Sequence, residues 1–114
     1  MESIIEDITG DVVILIINID RATLREAEPL KNNITRNIEE GYKKFIIDIS
    51  ACEFIDSTFL GVIVNTLKKV AKLNGDLKLV GFKPAVRSMF ELTRMFRVFE
   101  TFTELKEAVK SYTK

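Results

Sequence analysis

The chain has 114 residues, of which 46% are hydrophobic and 30% charged, and this predicts one compact, soluble domain over residues 1–114 rather than a disordered segment. Its 17 basic residues are balanced by 17 acidic ones, whereas a nucleic-acid-binding surface needs a surplus of basic side chains. The absence of histidine excludes Ser–His and Cys–His nucleophile pairs and histidine-ligated metal sites. We therefore expect neither an enzyme nor a protein that holds a nucleic acid, a metal or a cofactor.

The expected cellular location follows from the absence of targeting signals. No apolar run reaches the roughly 18 residues that cross a bilayer. The N-terminus, MESIIEDITGD, is acidic and lacks the basic start of a secretory signal. The lone Cys52 has no second cysteine with which to form an internal disulfide, and we expect it to be a small core or loop residue. These features predict a cytoplasmic protein that does not contact a membrane.

The first predicted element is a β-hairpin. Residues 3–9 alternate loosely between apolar and polar side chains, Gly10 and Asp11 supply a turn, and residues 12–19 form a nearly unbroken apolar run. A strand without clean alternation is typical of one covered on both faces, so the second strand is expected to lie centrally in the sheet.

The first helix has two predicted starting points. Thr23 with Glu26 three residues later matches a capping box, whereas Pro29 is most comfortable in a first turn and favours a start near Glu28. Gly41 is expected to end the helix. Its predicted buried stripe consists of Leu30, Ile34 and Ile38.

Strands and helices alternate through the rest of the chain. The remaining predicted elements are a strand over residues 44–50, a helix with its apolar stripe over residues 60–71, a strand over residues 76–81, a helix from Pro84, a short edge strand at Val98 and Phe99, and a helix capped by Thr103. The helix from Pro84 is expected to turn Val86, Met89, Phe90 and Thr93 inward. The order β-β-α-β-α-β-α-(β)-α requires parallel pairing after the hairpin, and so predicts an α/β fold with a mixed sheet of four to five strands and about four helices.

The segment of greatest functional interest, residues 54–61 (FIDSTFLG), lies between the third predicted strand and the second predicted helix. Ligand and regulatory sites of α/β sheets gather at the carboxyl ends of parallel strands. Asp56 and Ser57 are both strong N-cap residues, so one interpretation is that they only cap the helix. The other interpretation is functional, because the free amides and the positive end of the helix dipole would tolerate a phosphate on a hydroxyl there.

Three bulky side chains, Phe54, Ile55 and Phe59, surround this predicted cap, and not all of them can turn inward together. Phe59 aligns with Val62 and Thr66 at helical spacing, outside the main apolar stripe. This pattern predicts a small exposed apolar strip that could serve as a docking patch. The alternative is that Phe59 packs beneath a neighbouring loop.

The same segment resembles a known signature. Residues 56–58 read Asp-Ser-Thr and residues 60–62 read Leu-Gly-Val, which is similar to the D-S-[ST]-G-L-G-V motif of STAS-domain anti-sigma-factor antagonists. The strand with KFIIDIS and the later run LVGFKPAVRSMFELTRMFRVF fall where that family places similar segments, so the resemblance covers nearly the whole chain. It implies a single STAS domain.

The resemblance also implies a binding switch. While unphosphorylated, the chain would bind an anti-sigma factor that is also a serine kinase, and this binding would free the sigma factor. Phosphorylation of Ser57 by that kinase would end binding. A serine phosphatase would remove the phosphate and restore binding. Thr58 matches the second hydroxyl of the motif and is the second candidate for modification. The implied partner-binding residues are Asp20, Thr23, Asp56, Ser57, Thr58, Phe59 and Val62.

The sequence departs from the family pattern at two places. Phe59 stands where the family usually has glycine after the two hydroxyl residues, which adds bulk and an apolar anchor at the site. The segment around residues 25–28, between Asp20 and the first helix, is slightly longer than usual. In relatives this loop helps contact the partner, so both departures concern recognition rather than fold.

Three other functions fit parts of the pattern. A receiver domain shares the size and class, and Asp48 near the end of the third predicted strand invites that comparison. A receiver, however, needs an acidic pair after its first strand, and Asp20 stands alone; Asp48 is more simply a solvent-facing strand position. A constitutive STAS scaffold or signalling-complex module, in which Ser57 is never modified, is favoured by Phe59. A small-ligand carrier is the third alternative.

Overall fold

The structure, a computed structural model, describes residues 2–113 as an α/β fold. Its elements in chain order are β1 (Ile4–Thr9), β2 (Val12–Ile17), β3 (Arg21–Ala22), α1 (Leu24–Glu39), β4 (Lys44–Asp48), β5 (Phe54–Ile55), α2 (Ser57–Ala71), β6 (Asp76–Val80), α3 (Pro84–Leu92), a 3₁₀ turn (Met95–Arg97), β7 (Glu100–Phe102) and α4 (Leu105–Tyr112). No helix within these described residues is long and apolar enough to cross a membrane.

The main sheet has five strands in the order β1-β2-β4-β6-β7. The β1–β2 hairpin is antiparallel, and the pairings β2–β4, β4–β6 and β6–β7 are all parallel. The predicted α/β class and mixed sheet are therefore confirmed, and the second strand is an interior strand between β1 and β4. Because the parallel strands run in one direction, their carboxyl ends meet at one edge of the sheet, where the segment before α2 lies.

The two faces of the sheet carry different covers. Alternate strand residues such as Leu15 and Ile47 pack with α1, α2 and α3 into the larger apolar core, which contains Leu30, Ile63 and Phe90. The opposite face is covered by α4. Its smaller apolar cluster consists of Val12, Ile14, Ile46, Val80 and Ala108, with Ile16, Phe102, Leu105, Val109 and Tyr112 packed against it.

A second sheet of two very short strands was not predicted. In it, β3 pairs with β5 in parallel, with Arg21 opposite Phe54 and Ala22 opposite Ile55. Strands of two residues carry no hydrophobic periodicity, so sequence patterns cannot reveal them. The pairing matters because β3 leads directly into α1 and β5 leads directly into α2.

The first helix begins at Leu24 with Thr23 as its N-cap, and the predicted capping box is present. The alternative start near Glu28 is wrong. Pro29 lies inside α1, where it removes one backbone hydrogen bond. The reciprocal bonds of the capping box and the buried stripe beneath the helix compensate for that single loss.

Predictions near the C-terminus were less accurate. The last strand is Glu100–Phe102 rather than Val98 and Phe99, because a 3₁₀ turn occupies the preceding residues and leaves Val98 exposed. The N-cap of α4 is Glu104, without a side-chain cap bond, rather than Thr103.

Thr93 does not face inward as predicted. It is exposed at the end of α3, and its hydroxyl donates to the Met89 carbonyl at 2.7 Å. The Met89 carbonyl also accepts from the Thr93 amide at 3.0 Å, so the hydroxyl is paired locally at the helix end without being buried.

Candidate functional site

The carboxylate of Asp56 joins the starts of two helices. Its Oδ1 accepts a hydrogen bond from the Phe59 amide of α2 at 2.8 Å, and its Oδ2 accepts from the Leu24 amide of α1 at 2.9 Å. Both amides belong to first turns, where no helical carbonyl is available. A charged acceptor makes such bonds stronger than a neutral one and complements both helix dipoles. The predicted cap is therefore present, and it serves α1 as well as α2.

Ser57 and Thr58 form the first turn of α2, immediately after this cap. Both side chains are exposed, and among residues 2–113 neither hydroxyl has a hydrogen-bond partner. The cap that holds this helix N-terminus in place uses neither hydroxyl, so both are accessible to a partner or a modifying enzyme. Asp56 alone caps the helix, and the Ser57 side chain is therefore available for a functional role.

Asp20 and Thr23 support the site mainly through local bonds. The Asp20 carbonyl accepts from the amides of Glu53 at 2.7 Å and Phe54 at 3.1 Å, which fixes the segment that leads to Ser57. The Asp20 side chain is exposed. The Thr23 hydroxyl belongs to the capping box of α1, where it accepts from the Arg25 amide at 3.3 Å and lies 3.1 Å from a Glu26 carboxylate oxygen.

The predicted exposed strip of Phe59, Val62 and Thr66 is wrong. Phe59 is completely buried in the main core, and Thr66 is 5% exposed with its hydroxyl donating to the Val62 carbonyl. Phe59 therefore presents no surface to a partner. The sequence argument failed because the apolar face of α2 is wider than its main stripe and includes this position.

Two other apolar side chains beside the site are exposed, as was predicted for Phe59. Leu24 is 66% exposed at the first position of α1, and Phe54 is 38% exposed in β5. The Arg21 guanidinium lies 4.3 Å from the centroid of the Phe54 ring. Phe54 was recognised as one of three side chains that could not all turn inward, but no sequence signal distinguished Leu24.

Ser57 stands on the ridge between two grooves. The first, about 370 Å³, runs between α1 and α2 and is lined in part by Ser57, Thr58 and Val62. The second, about 410 Å³, lies between β5 and α3 and is lined in part by Ser57, Phe54 and Met89. Ser57 thus contributes to both grooves and Thr58 to the first alone.

Cys52 and Asp48 are both engaged inside the fold. Cys52 is completely buried, as predicted, and burial, together with the charges of Asp48 and Asp20, raises the pKa of its thiol to about 12. A thiol in that state is a poor nucleophile. The Asp48 carboxylate is half-buried and accepts bonds from the amide and hydroxyl of Ser50 at 2.9 and 2.6 Å, which ties it to a turn.

Comparison with known proteins gives a consistent result. The STAS domain family matches residues 5–108. The chain is 34% identical over 107 residues to a candidate anti-sigma factor antagonist of Thermotoga neapolitana, a TM1081 homolog, covering 90% of this chain and 91% of the relative. It is similar to the crystal structure of a candidate anti-sigma factor antagonist, TM1081, from Thermotoga maritima, with a TM-score of 0.90, 30% identity, and coverage of 97% and 95% of the two chains.

The fold is also that of SpoIIAA, an anti-sigma factor antagonist. The match to its unphosphorylated form has a TM-score of 0.86 at 16% identity over 96% of each chain. The match to its phosphorylated form, described as a Bacillus cell fate determinant, has a TM-score of 0.78 at 16% identity, covering 96% of this chain and 98% of that one. The motif, the fold and these matches agree: the chain belongs to the STAS domain family of anti-sigma-factor antagonists.

Proposed function

We propose that this chain is a non-enzymatic anti-sigma-factor antagonist that binds an anti-sigma factor with serine kinase activity and releases it when Ser57 is phosphorylated. The observation that carries the proposal is the free Ser57 hydroxyl, exposed on the ridge between two grooves and held at the start of α2 by the Asp56 cap. The curated relatives named as candidate anti-sigma factor antagonists support the choice of partner.

The docking surface surrounds that hydroxyl. Leu24 and Phe54 supply exposed apolar area, and Arg21, stacked on Phe54, supplies a cation. Exposed apolar side chains next to a planar cation are typical anchors of a protein interface. Asp56, Thr23 and the Asp20 carbonyl act beneath this surface and keep its three segments together.

The switch reaction takes place in the partner's ATP site. The Ser57 Oγ attacks the γ-phosphorus of ATP, the bond to the ADP oxygen breaks, and the hydroxyl proton is released as the phosphoserine forms. A serine phosphatase reverses the modification by transferring the phosphoryl group to water. This chain supplies only the acceptor hydroxyl, and Thr58 is the second candidate acceptor.

Electrostatic repulsion is sufficient to end binding. Phosphate adds about −1.5 to −2 charges at neutral pH. Against a carboxylate about 4 Å away, each charge opposes binding by about 1 kcal/mol in water and about 4 kcal/mol in a partly excluded interface. Since about 1.4 kcal/mol changes affinity tenfold, the expected loss is about tenfold to a thousandfold without refolding of the domain.

Mass spectrometry of the protein isolated from its native cells tests the proposal. We expect one phosphate on Ser57, absent from the Ser57→Ala variant, and stable binding of an anti-sigma factor by Ser57→Ala but not by Ser57→Asp. A chain that carries no phosphate under any growth condition, and whose two variants bind equally, would instead be a constitutive scaffold. Phosphate on Thr58 alone would move the switch to the second hydroxyl.

A further inference from the structure

Gly61 is the one glycine whose presence the fold does not explain. Each of the other four has either a positive φ or a neighbour that an added Cβ would strike: Gly10, Gly41, Gly75 and Gly81. Gly61 lies inside α2, and a Cβ added there would meet nothing within 4 Å. Glycine weakens a helix interior because it loses the most backbone freedom on folding. An alanine would therefore fit this position and stabilise the helix.

The open space above Gly61 belongs to the groove between α1 and α2. Gly61 is one of its lining residues, together with Ala27 and Ile34 of α1 and Val62 of α2. The missing side chain therefore deepens an apolar floor that lies next to the Ser57 and Thr58 hydroxyls. A groove of about 370 Å³ is large enough to seat one or two side chains of a partner.

Two lysines give this groove a preference for a negatively charged occupant. Lys31 of α1 and Lys69 of α2 both line it, and neither has a carboxylate within 4.0 Å among residues 2–113. Glu28 is the acidic residue of the lining, so cations outnumber carboxylates two to one. Unpaired cations on both walls of a groove with an apolar floor complement a segment that combines a carboxylate with a small aliphatic side chain.

We propose that the groove holds an acidic segment of the partner, with an aliphatic side chain seated over Gly61 and a carboxylate between Lys31 and Lys69. This rests on the proposed function and adds to it a second contact along α2, away from Leu24 and Phe54. It also extends the switch, because a phosphate on Ser57 or Thr58 would bring negative charge into the same groove and repel the same segment.

The test uses two substitutions at position 61, one that reports on stability and one that reports on binding. Gly61→Ala raises Tm by about 3 to 6 °C because it removes the glycine from a helix interior. Gly61→Leu keeps a good helix former but fills the groove, and weakens binding of the purified anti-sigma factor by at least about tenfold while the domain stays folded. A Gly61→Leu variant that is folded and binds like wild type overturns the proposal.

Charge reversal supplies a matched control. Lys69→Glu should weaken binding by about three- to tenfold, with a smaller effect at high salt, because it faces the acidic segment. Lys68→Glu makes the same change one residue away on α2, outside the groove lining, and should leave the affinity unchanged. Equal effects of the two variants would show that only overall charge matters, and would contradict the groove contact.

A second measurement separates failure of this inference from failure of the proposed function. If no anti-sigma factor binds wild type, an NMR titration of the chain with the blocked dipeptide N-acetyl-Leu-Glu-amide decides. Amide shifts at Ile34 and Asn65 that disappear in Gly61→Leu support the groove site. The proposal is overturned if the dipeptide causes no shifts or causes them elsewhere. It is also overturned if Gly61→Leu changes the self-association of the chain, because the groove would then contact a second copy.

Discussion

The α4 face of the sheet and the end of the molecule around Ser57 use their polar groups in opposite ways. Under α4, the Lys78 ammonium is buried, donates to Ser111 at 2.6 Å, lies 3.3 Å from the Glu100 carboxylate and sits 4.0 Å from the Tyr112 ring centroid. The Tyr112 hydroxyl donates to the Phe45 carbonyl at 3.0 Å, and burial raises its pKa. Each of these polar groups has a partner inside the chain.

At the other end, Ser57 and Thr58 have free hydroxyls, and Leu24 and Phe54 leave apolar surface exposed. A side chain whose bonding capacity is used inside the fold contributes to stability, and one that is left open is available to a partner. If the proposed function holds, the α4 face contributes to stability and the end around Ser57 contributes to recognition. Substitutions should then affect one property without the other.

The largest expected effect is the difference in stability between alanine variants of Phe59 and Phe54, the two phenylalanines on either side of Ser57. Phe59→Ala should destabilise the domain by about 3–5 kcal/mol, because a completely buried ring is replaced by a cavity. Phe54→Ala should change stability by less than about 1 kcal/mol and weaken partner binding instead. Urea unfolding and partner affinity, measured for both variants, give the comparison. A stable Phe59→Ala variant that loses binding would reverse the two assignments.

Substitutions of Lys78, beneath α4, should change the stability of the domain but not its affinity for the partner. Lys78→Ala removes the buried stem and the paired ammonium, and should destabilise by about 2–3 kcal/mol without changing partner affinity. Lys78→Met keeps most of the side-chain volume and should lower the free energy of unfolding by less than about 1.5 kcal/mol. Denaturant unfolding of both variants checks this, and an affinity change in either would show that the two regions are coupled.

Asp56 should be the exception, because it lies at the recognition end but holds two helices together. Asp56→Ala loses both cap bonds and should destabilise by about 1.5–3 kcal/mol. Glu53→Ala, a nearby exposed carboxylate, is the control and should be nearly neutral. Hydrogen exchange should show faster opening of the first turns of both α1 and α2; exchange that rises at α2 alone would contradict the bridging role.

The smallest expected effect is a pH dependence from Glu6 on β1. Its pKa is lowered chiefly by the hydrogen bond from Arg36, with further donors in Asn37 and Asn33. A carboxylate with a lowered pKa stabilises the fold above its unfolded pKa of about 4.3, and this stabilisation is lost as pH falls through the folded value. Because solvent screens the Glu6–Arg36 pair, we expect its contribution to the free energy of unfolding to be less than about 1 kcal/mol.

Glu6→Gln measures that contribution. The variant should be slightly less stable than wild type at pH 7, and the gap should narrow as pH falls through the lowered folded pKa of Glu6, where the wild-type carboxylate also loses its charge. Urea midpoints measured in steps from pH 7 into the acid range give the result. A gap that stays unchanged across this range would assign the effect to packing rather than to charge.

Much of the fold was predictable, because long periodic segments determine it. The hairpin, the alternation of strands and helices and the capping box at Thr23 all left clear patterns in the sequence. The β3–β5 pairing and the 3₁₀ turn left none, since two or three residues are too few for a hydrophobic period. Pro29 was misleading because local preference lost to packing around it.

The sequence predicted which polar residues begin α2 at the candidate site, but not which apolar side chains are exposed around them. The order Asp56, Ser57 indicated a cap followed by a hydroxyl, and both lie at the start of α2. The sequence could not reveal that the same carboxylate reaches Leu24, since that bond joins residues 32 positions apart. It also placed Phe59 on the surface, whereas the wide apolar face of α2 buries it, and it left open whether Phe54 or Ile55 turns outward, because β5 has no sequence signal.

The most direct test of the central claim is the affinity of the purified anti-sigma factor for this chain before and after phosphorylation of Ser57. The account predicts that phosphorylation weakens binding about tenfold to a thousandfold, with backbone amide NMR shifts confined to the neighbourhood of α2's first turn. Equal affinity of the two forms would contradict the switch. Weaker binding accompanied by shifts throughout the main sheet would contradict the claim that charge acts without refolding.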